Sequence, residues 1–347
     1  MLDLQRLFKD PDQFLFGFEE HDASFVRMDR DAYHRSIFLD RRISPISNTG
    51  EKISLASLYG AQERAQARPR DIGYIFHIAH CGSTLLARAL DLKGGNLVYR
   101  EPMALRQLGV QAAKTFGQQP SPDWRRRVDL AATLLSRRYN TDGPVILKAN
   151  VPVNFMIEPL MELRPRQPVI FLYFSLEHYL LAILRSTEHA DWLVRVSKDL
   201  QAGVDGLVGG AGAATPPVQA ARLWLAQMLE YTKALGKYPN AASLDAEAFF
   251  NQPREALAAC FRHFGQSQAE VTIEAIVQSD LFARYSKDPR TAYDNRTRLD
   301  LQKTLRRELA SALREARNWA DAQAAARRLP AAMARPLVGE GGDLLGK

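Results

Sequence analysis

Short apolar segments alternate with longer amphipathic ones through the middle of the chain. Four short runs rich in β-branched and aromatic residues predict strands at 73–79, 97–99, 144–148 and 168–173. Helical patterns follow or separate them at 85–91, 124–138, 176–197, 218–235 and 253–264, and residues 241–244 add a last short strand. Because strands of this kind alternate with helices, we predict a parallel sheet with crossover helices.

The two ends of the chain have different patterns. Residues 1–68 hold short apolar patches between turn-prone groups such as Asp10-Pro11-Asp12. Near the C-terminus, leucines recur every fourth residue from Leu301 to Leu313, which predicts a basic helix, and we expect the tail beyond Pro336 to be frayed. We therefore predict an N-terminal extension over 1–70, an α/β core over 71–265, and a C-terminal helical segment and tail over 266–347.

A glycine cluster interrupts the helical patterns of the core. Gly203, Gly206, Gly209, Gly210 and Gly212 are followed by Thr215-Pro216-Pro217. Glycine and proline at this density are typical of a loop, so we predict a flexible connection here rather than a lid.

Charge and cysteine content narrow the class of protein. The chain has 46 Lys and Arg against 39 Asp and Glu, a formal charge of +7, which favours anionic ligands. No zinc, helix-turn-helix or RNA-recognition signature accompanies the charge, so nucleic-acid binding ranks last. Cys81 and Cys260 cannot form a disulfide framework or a multi-cysteine metal site. With no signal sequence or bilayer-length apolar run, we expect a cytoplasmic protein without a metal.

The turn between the first predicted core strand and its helix carries the main chemical signal. His80-Cys81-Gly82-Ser83-Thr84 places a glycine and two hydroxyl residues at the start of a helix, an arrangement that directs free N–H groups at an anion. The nucleotide-triphosphatase form needs Gly-x-x-x-x-Gly-Lys-Ser/Thr, and here His77 and Ser83 stand in place of its first Gly and its Lys. The sequence therefore predicts a phosphate loop that does not hydrolyse ATP or GTP.

The stretch from His80 to Leu86 resembles the 5′-phosphosulfate loop of the sulfotransferase family. Weaker agreement follows in order at residues 99–102, 146–148 and 243–265, so the resemblance covers about 72–265. It implies a three-layer α/β/α fold of the P-loop type with a parallel central sheet, and sulfuryl transfer from 3′-phosphoadenosine-5′-phosphosulfate to an acceptor hydroxyl or amine. It also implies that the donor is bound by His80, Cys81, Gly82, Ser83, Thr84 and Leu85.

The chain departs from this family at three positions. The family has a basic residue, commonly Lys, where this chain has His80, which is cationic only in part at neutral pH. The Arg and Ser that usually hold the donor's 3′-phosphate are replaced by Phe174 and Ala182. Arg185 and Ser186, one turn further along, are the candidates to take their place.

Candidate catalytic residues lie at predicted strand ends, where open α/β sheets bind ligands. We expect His80 to contact the transferring group, Glu101 to act as general base toward the acceptor, and Lys148 to assist the sulfuryl group. Arg100 is either an anion clamp or part of an internal salt bridge, and Lys148 has the alternative of a strand-end lysine without chemistry.

Other residues near the motif have structural interpretations. We expect His77 to be a core histidine, and Cys81 to act through its backbone N–H rather than as a nucleophile. Arg290, Arg296 and Arg298 either reach back to the nucleotide or form a solvated face.

Two other functions stay open. A kinase-like phosphotransferase would want a Lys at position 83 and acidic residues for Mg²⁺. A catalytically degenerate nucleotide-binding or regulatory protein would keep the fold and lose turnover, in keeping with His80, Phe174 and Ala182.

Overall fold

The computed structural model describes residues 3–4, 6–139, 143–210, 212 and 214–346, and of residues 48 and 49 the backbone alone. The strands are β1 Gln13–Phe18, β2 Asp22–Arg27, β3 Ser47–Ser54, β4 Ile72–His77, β5 Leu97–Arg100, β6 Val145–Lys148, β7 Val169–Tyr173, β8 Ala241–Asp245, β9 Arg284–Tyr285 and β10 Asp288–Ala292. The first helices are α1 Arg30–Arg35, α2 Leu55–Arg64, α3 Ser83–Ala89, α4 Met103–Lys114, α5 Pro122–Leu135 and α6 Ile157–Leu163, preceded by a 3₁₀ helix at Val151–Met156. The later ones are α7 Leu176–Ile183, α8 Thr187–Val208, α9 Pro216–Lys237, α10 Ala246–Asn251, α11 Pro253–His263, α12 Glu270–Val277, α13 Asp280–Ala283, α14 Asn295–Glu308 and α15 Ala310–Ala326.

The centre of the molecule is a five-stranded parallel sheet in the order β5-β6-β4-β7-β8. All five strands coincide with the predicted ones to within two residues. Each strand's residues are almost all buried, as expected where helices cover both faces. The predicted α/β class with a parallel central sheet is confirmed.

Two contacts show that helices lie on opposite faces of this sheet. On one face, Phe76 of β4 stacks on Phe171 of β7, whose ring lies 4.6 Å from Tyr231 of α9. Gly73, three residues before Phe76 on β4, points to the other face. There a Cβ would lie 2.5 Å from the ring of Phe264, which ends α11. Phe264 therefore occupies the space that a side chain at position 73 would need.

The N-terminal 70 residues have a sheet of their own. β1, β2 and β3 form an antiparallel sheet in that order, and Phe14 of β1 stacks on Tyr99 of the central sheet at 6.0 Å. Phe14, Leu15 and Phe25 belong to the same buried cluster as the central sheet. The predicted extension thus packs as part of the main core.

The glycine cluster was predicted as a loop, and this is wrong for its first two members. α8 continues through Gly203 and Gly206 to Val208. A Cβ on Gly203 would lie 2.6 Å from Phe155, and one on Gly206 2.4 Å from Phe116. At these glycines the helix packs closely against aromatic rings. The number of glycines in the sequence does not distinguish such a helix from a loop.

The segment 176–197, predicted as one helix, is two. α7 ends at Ile183 and α8 begins at Thr187, where the Ser186 hydroxyl caps the new helix by accepting from the His189 N–H at 3.4 Å. The leucine-rich C-terminal helix is likewise divided, since α14 ends at Glu308 and α15 begins at Ala310.

The C-terminal tail is packed, so the expectation of a frayed end is wrong. The Leu337 N–H donates to the Ser243 carbonyl of β8 at 2.9 Å, and the Leu176 N–H donates to the Leu344 carbonyl at 2.8 Å. The Leu344 side chain is fully buried. The tail therefore covers the β8 edge of the sheet. Within the described residues, no helix is both long and apolar enough to span a bilayer.

Candidate functional site

The loop from Ala79 to Thr84 connects the carboxyl end of β4 to α3 and is held in an unusual backbone conformation. Ala79, His80 and Gly82 have φ of +72°, +52° and +78°. For a residue with a Cβ, the left-handed region costs about 1–3 kcal/mol, so Ala79 and His80 are strained. Strain of this kind persists where the surrounding fold fixes the backbone, and it clusters at ligand sites.

The N-terminus of α3 is uncapped. Gly82 is its N-cap residue and supplies no side-chain hydrogen bond. The first N–H groups of a helix have no partner inside the helix. The Ser83 N–H bonds to the Cys81 thiol, which leaves the Thr84 and Leu85 N–H groups to bind a ligand at the loop. Phe250 lies over Gly82, where a Cβ would come within 2.6 Å of Phe250 Cζ.

Lys148 and Glu101 form a buried ion pair beside this loop. The Lys148 ammonium at the end of β6 donates to Glu101 Oε1 and to the Thr84 hydroxyl, the latter at 3.3 Å. The Phe38 ring lies 5.4 Å from Lys148 Nζ and shields the pair from solvent. Glu101 itself has φ of +58°, just after β5. The structure thus brings together three predicted site residues: Thr84, Glu101 and Lys148.

At Glu101 and at Lys148, burial and the opposite charge of the partner shift the pKa in opposite directions. Burial raises the pKa of Glu101, but the surrounding cations, Lys148 foremost and then Lys287, together outweigh burial and hold that pKa below its ordinary value. Burial lowers the pKa of Lys148, which Glu101 opposes only in part. The carboxylate therefore stays ionised at neutral pH.

A cavity extends from the loop toward the C-terminal part of the chain. Its walls come from the loop and first turn of α3, from the end of β7 and α7, from α10, and from α13, α14 and the segment between them. It includes His80, Gly82, Ser83, Thr84, Leu85 and Arg185 among the predicted binding residues, together with Phe174 and Ala182.

Two cations that have no carboxylate partner among the described residues face the loop. Arg185 lines the cavity and donates to the Tyr285 hydroxyl at 3.1 Å, while Lys287 lies at the turn of the β9–β10 hairpin. The hairpin is attached to α3 by a hydrogen bond from Arg88 to the Ser286 carbonyl at 3.0 Å. Neither Arg185 nor Lys287 forms an ion pair with any residue that the structure describes. Burial lowers the pKa of Lys287, and Glu101 opposes this.

His80 lies among these cations and two aromatic rings. Its ring is 4.2 Å from that of His189 and 5.3 Å from that of Trp192, both on α8. Burial lowers the pKa of His80 well below its ordinary value, and Lys287, His189 and Arg185 lower it further. His80 is therefore a neutral imidazole at pH 7 until an anion joins it.

Three residues that were candidates for anion binding form hydrogen bonds or ion pairs outside the cavity. The buried Arg100 guanidinium pairs with Asp91 at 2.7 Å and donates to the Ser36 carbonyl, so the anion-clamp alternative for Arg100 is wrong and the internal salt bridge is correct. Ser186 caps α8 instead of lining the cavity. Arg290 is exposed and pairs with Asp288 at 2.8 Å.

Of the other residues singled out in the sequence, two are buried beside the loop and two lie on α14. His77 is a buried histidine whose Nδ1 accepts from the Ala79 N–H at 3.0 Å. Cys81 is fully buried and burial raises the pKa of its thiol to about 11, which disfavours a nucleophilic role. Arg298 lines the cavity, whereas Arg296 is exposed and lies outside its walls.

Sequence reasoning did not single out Lys287, His189, Trp192 or Phe250. Lys287 lies in the segment where basic residues were expected to return to the nucleotide, but the hairpin register that directs Lys287 inward and Arg290 outward has no signature in the sequence. His189 and Trp192 reach the loop only because α8 begins after the break at Ser186.

Lowering the pH from 7 to 5 is expected to destabilise the protein through its buried histidines. The pKa of His77 is also far below its ordinary value, through burial and then Lys148, and burial lowers the pKa of His189 to about 4. In the unfolded chain these rings protonate near pH 6.5, so the unfolded state takes up more protons below that pH. Each ring then lowers the free energy of unfolding by up to about 1.4 kcal/mol per pH unit, and this slope falls toward zero between pH 7 and pH 8.

Urea denaturation at pH 5, 6, 7 and 8 measures this effect. His77→Gln should have a smaller difference between pH 5 and pH 7 than the wild type. His21→Gln, at an exposed position, should keep the wild-type difference. Equal slopes in His77→Gln and wild type would show that His77 protonates in the folded state.

No protein-family model and no curated protein matches the chain. Among solved structures, a sulfotransferase domain from the curacin biosynthetic pathway matches with a TM-score of 0.38 and 12% identity, over 70% of this chain and 98% of that one. A sulfotransferase from Alicyclobacillus acidocaldarius matches with a TM-score of 0.36 and 13% identity, over 75% and 99%.

Proposed function

We propose that this chain is a sulfotransferase-like enzyme that binds a nucleotide sulfuryl donor at the loop and transfers the sulfuryl group to an acceptor hydroxyl or amine. The observation that carries the proposal is the excess of positive charge above the loop. Arg185 and Lys287 have no counter-ion among the described residues, and they face a helix end with free N–H groups. Cations withdrawn in part from water without a partner are costly, and an anion in this space would compensate them.

The residues have separate roles in the proposed reaction. The Thr84 and Leu85 N–H groups and the Ser83 and Thr84 hydroxyls bind the donor's 5′-phosphate. Lys287, Arg185 and His80 stabilise negative charge on the transferring group and on the departing phosphate oxygen, the role that a loop Lys has in sulfotransferases. The resemblance of the loop implies 3′-phosphoadenosine-5′-phosphosulfate as the donor.

Glu101 and Lys148 act on the acceptor side. The acceptor oxygen forms a bond to sulfur while the bond from sulfur to the phosphate oxygen breaks, and the bisphosphate nucleotide leaves. The acceptor proton passes to the Glu101 carboxylate as this bond forms. Lys148, bonded to both Glu101 and Thr84, fixes the carboxylate relative to the loop. Lys148 is thus a positioning residue in this scheme.

The kinase-like alternative is less well supported. Mg²⁺ in phosphotransferases is held by carboxylates beside the nucleotide. Asp294 is the one carboxylate in the described lining of the cavity, and it caps α14 by accepting from the Thr297 N–H at 2.8 Å. Binding of nucleotide without turnover stays an alternative, which an activity measurement decides.

Calorimetric titration with adenosine 3′,5′-bisphosphate, set beside ATP with Mg²⁺, tests the donor site. We expect saturable binding of the bisphosphate without Mg²⁺, and release of bisphosphate from the phosphosulfate donor once an acceptor is supplied. Binding without release would favour the non-catalytic alternative. Binding of ATP alone, dependent on Mg²⁺, would replace sulfuryl transfer by phosphoryl transfer.

Lys287→Met is expected to weaken bisphosphate binding about 10- to 100-fold. A hydrogen bond to a charged group contributes about 1.5–3 kcal/mol, and each 1.4 kcal/mol is a factor of ten in affinity. Arg290→Met in the same hairpin removes an exposed cation that is paired with Asp288, and should leave affinity within twofold of wild type. Equal losses in both variants would mean that only the overall charge matters.

A further inference from the structure

The cavity above the loop has two chemically different ends. At the loop end lie the Ser83 and Thr84 hydroxyls with His80, Arg185 and Lys287. The other end is lined by apolar side chains from three helices and one strand end: Phe174, Leu181, Ala182, Phe282 and Leu305. Phe250, which lies over Gly82, stacks on Phe174 with ring centroids 6.3 Å apart, so flat aromatic surface leads from the loop to this end.

The cations at the apolar end are already paired. Arg298 lies 4.4 Å from the Phe250 ring, and both of its terminal nitrogens donate to the Glu247 carboxylate while its Nε donates to Asn295. Arg284 is exposed and pairs with Asp280 at 3.3 Å. Within the described lining, every cation at this end therefore has a carboxylate partner, in contrast to Arg185 and Lys287.

One buried polar group at this end lacks a partner. Gln302 of α14 lines the cavity and is 7% exposed, and its Oε1 accepts no hydrogen bond from any described residue. A buried amide oxygen without a donor costs about 1–3 kcal/mol. An N–H or O–H group of a bound molecule would satisfy it, whereas a second anion would be repelled.

We infer that the cavity binds a molecule with one anionic group at the loop end and an uncharged, flat, hydrogen-bond-donating body at the other, that is, a nucleoside 5′-phosphate or 5′-phosphosulfate whose 3′ position is not recognised as a phosphate. This inference rests on the proposed function, since it specifies the donor of that reaction. The aromatic surface suits a nucleobase. A 3′-phosphate entering the apolar end would lose hydration without gaining a free cation, and so would add little to affinity.

Titration calorimetry with three probes tests this inference: adenosine 5′-monophosphate, adenosine 3′,5′-bisphosphate and inorganic phosphate, at one fixed ionic strength. We expect the monophosphate to bind at least tenfold more tightly than phosphate, and the two nucleotides to agree within fivefold. A bisphosphate preference of fivefold or more overturns the inference and leaves sulfuryl transfer standing. A monophosphate that binds less than tenfold more tightly than phosphate also overturns it. Failure of all three to bind overturns the proposed donor site itself.

A gain-of-function variant gives an independent test. Ala182→Arg adds a cation at the apolar end, so the ratio of bisphosphate to monophosphate affinity should rise at least tenfold above that of the wild type. Ala322→Arg adds the same charge on the exposed surface of α15, and should leave this ratio unchanged. An unchanged ratio in Ala182→Arg would overturn the placement of the 3′ position at the apolar end.

Discussion

Gly82→Asp is expected to abolish nucleotide binding, with an affinity at least about 100-fold below that of the wild type. Gly82 has φ of +78°, and its Cβ would lie 2.6 Å from Phe250 Cζ. Phe250 cannot move aside freely, because it packs between Phe249 and Arg298. The new carboxylate would also occupy the helix end where the donor's phosphate is expected and repel it. Loss of two charge-assisted hydrogen bonds, at about 1.5–3 kcal/mol each, accounts for such a factor.

Gly94→Asp is the matched control for this variant. Gly94 has a similar φ of +74°, is exposed, and has nothing within 4 Å of its Cβ position. Both variants carry the same strain from an aspartate in the left-handed region, a conformation that Asp tolerates better than most residues. Gly94→Asp should therefore match Gly82→Asp in added charge and backbone strain but bind nucleotide like the wild type. If calorimetry finds Gly82→Asp binding within tenfold of wild type, the loop is not the phosphate site.

The central sheet could be predicted because its information is local. Each strand is a short run of β-branched and aromatic residues that is buried on both faces, so composition alone identifies it. Gly82 could be predicted as part of a loop between a strand and a helix for the same reason, because the motif lies within five consecutive residues. In contrast, the glycines of α8 are explained by Phe116 and Phe155, which lie 90 and 48 residues before them. Contacts at that sequence distance leave no periodic signal.

Within the candidate site, the residues at strand ends could be predicted from the sequence, whereas Lys287 and His189 could not. Glu101 follows β5 and Lys148 ends β6, two adjacent parallel strands whose carboxyl ends lie side by side. Lys287 depends on a two-residue strand and a short hairpin, and His189 on a helix break at Ser186. The apolar end of the cavity depends on how α14 packs against α7. The leucine pattern predicts that α14 has a packed face, but not which helix it packs against.

Lys148→Met is expected to destabilise the protein by about 3–5 kcal/mol at pH 7. The substitution leaves the Glu101 carboxylate in a buried place without its ammonium partner, and removing one member of a buried pair costs far more than removing both. The double variant Glu101→Leu with Lys148→Met should recover most of this loss, because it leaves no uncompensated charge. Urea denaturation of the two single variants and the double variant measures the coupling between them. A cost of Lys148→Met below 1 kcal/mol would mean that water reaches the pair.

The same variants separate binding from turnover. Glu101→Gln, which keeps an acceptor oxygen for Lys148, should lower the rate of sulfuryl transfer by about 10²- to 10⁴-fold, the usual contribution of a general base. Nucleotide affinity should stay within threefold of wild type, since the proposed scheme assigns donor binding to Arg185 and Lys287 and places Glu101 on the acceptor side. The double variant should likewise bind nucleotide and turn over no acceptor. Normal turnover in Glu101→Gln would remove Glu101 from the mechanism and leave Lys148 and Glu101 as a purely structural pair that holds β5, β6 and the loop together.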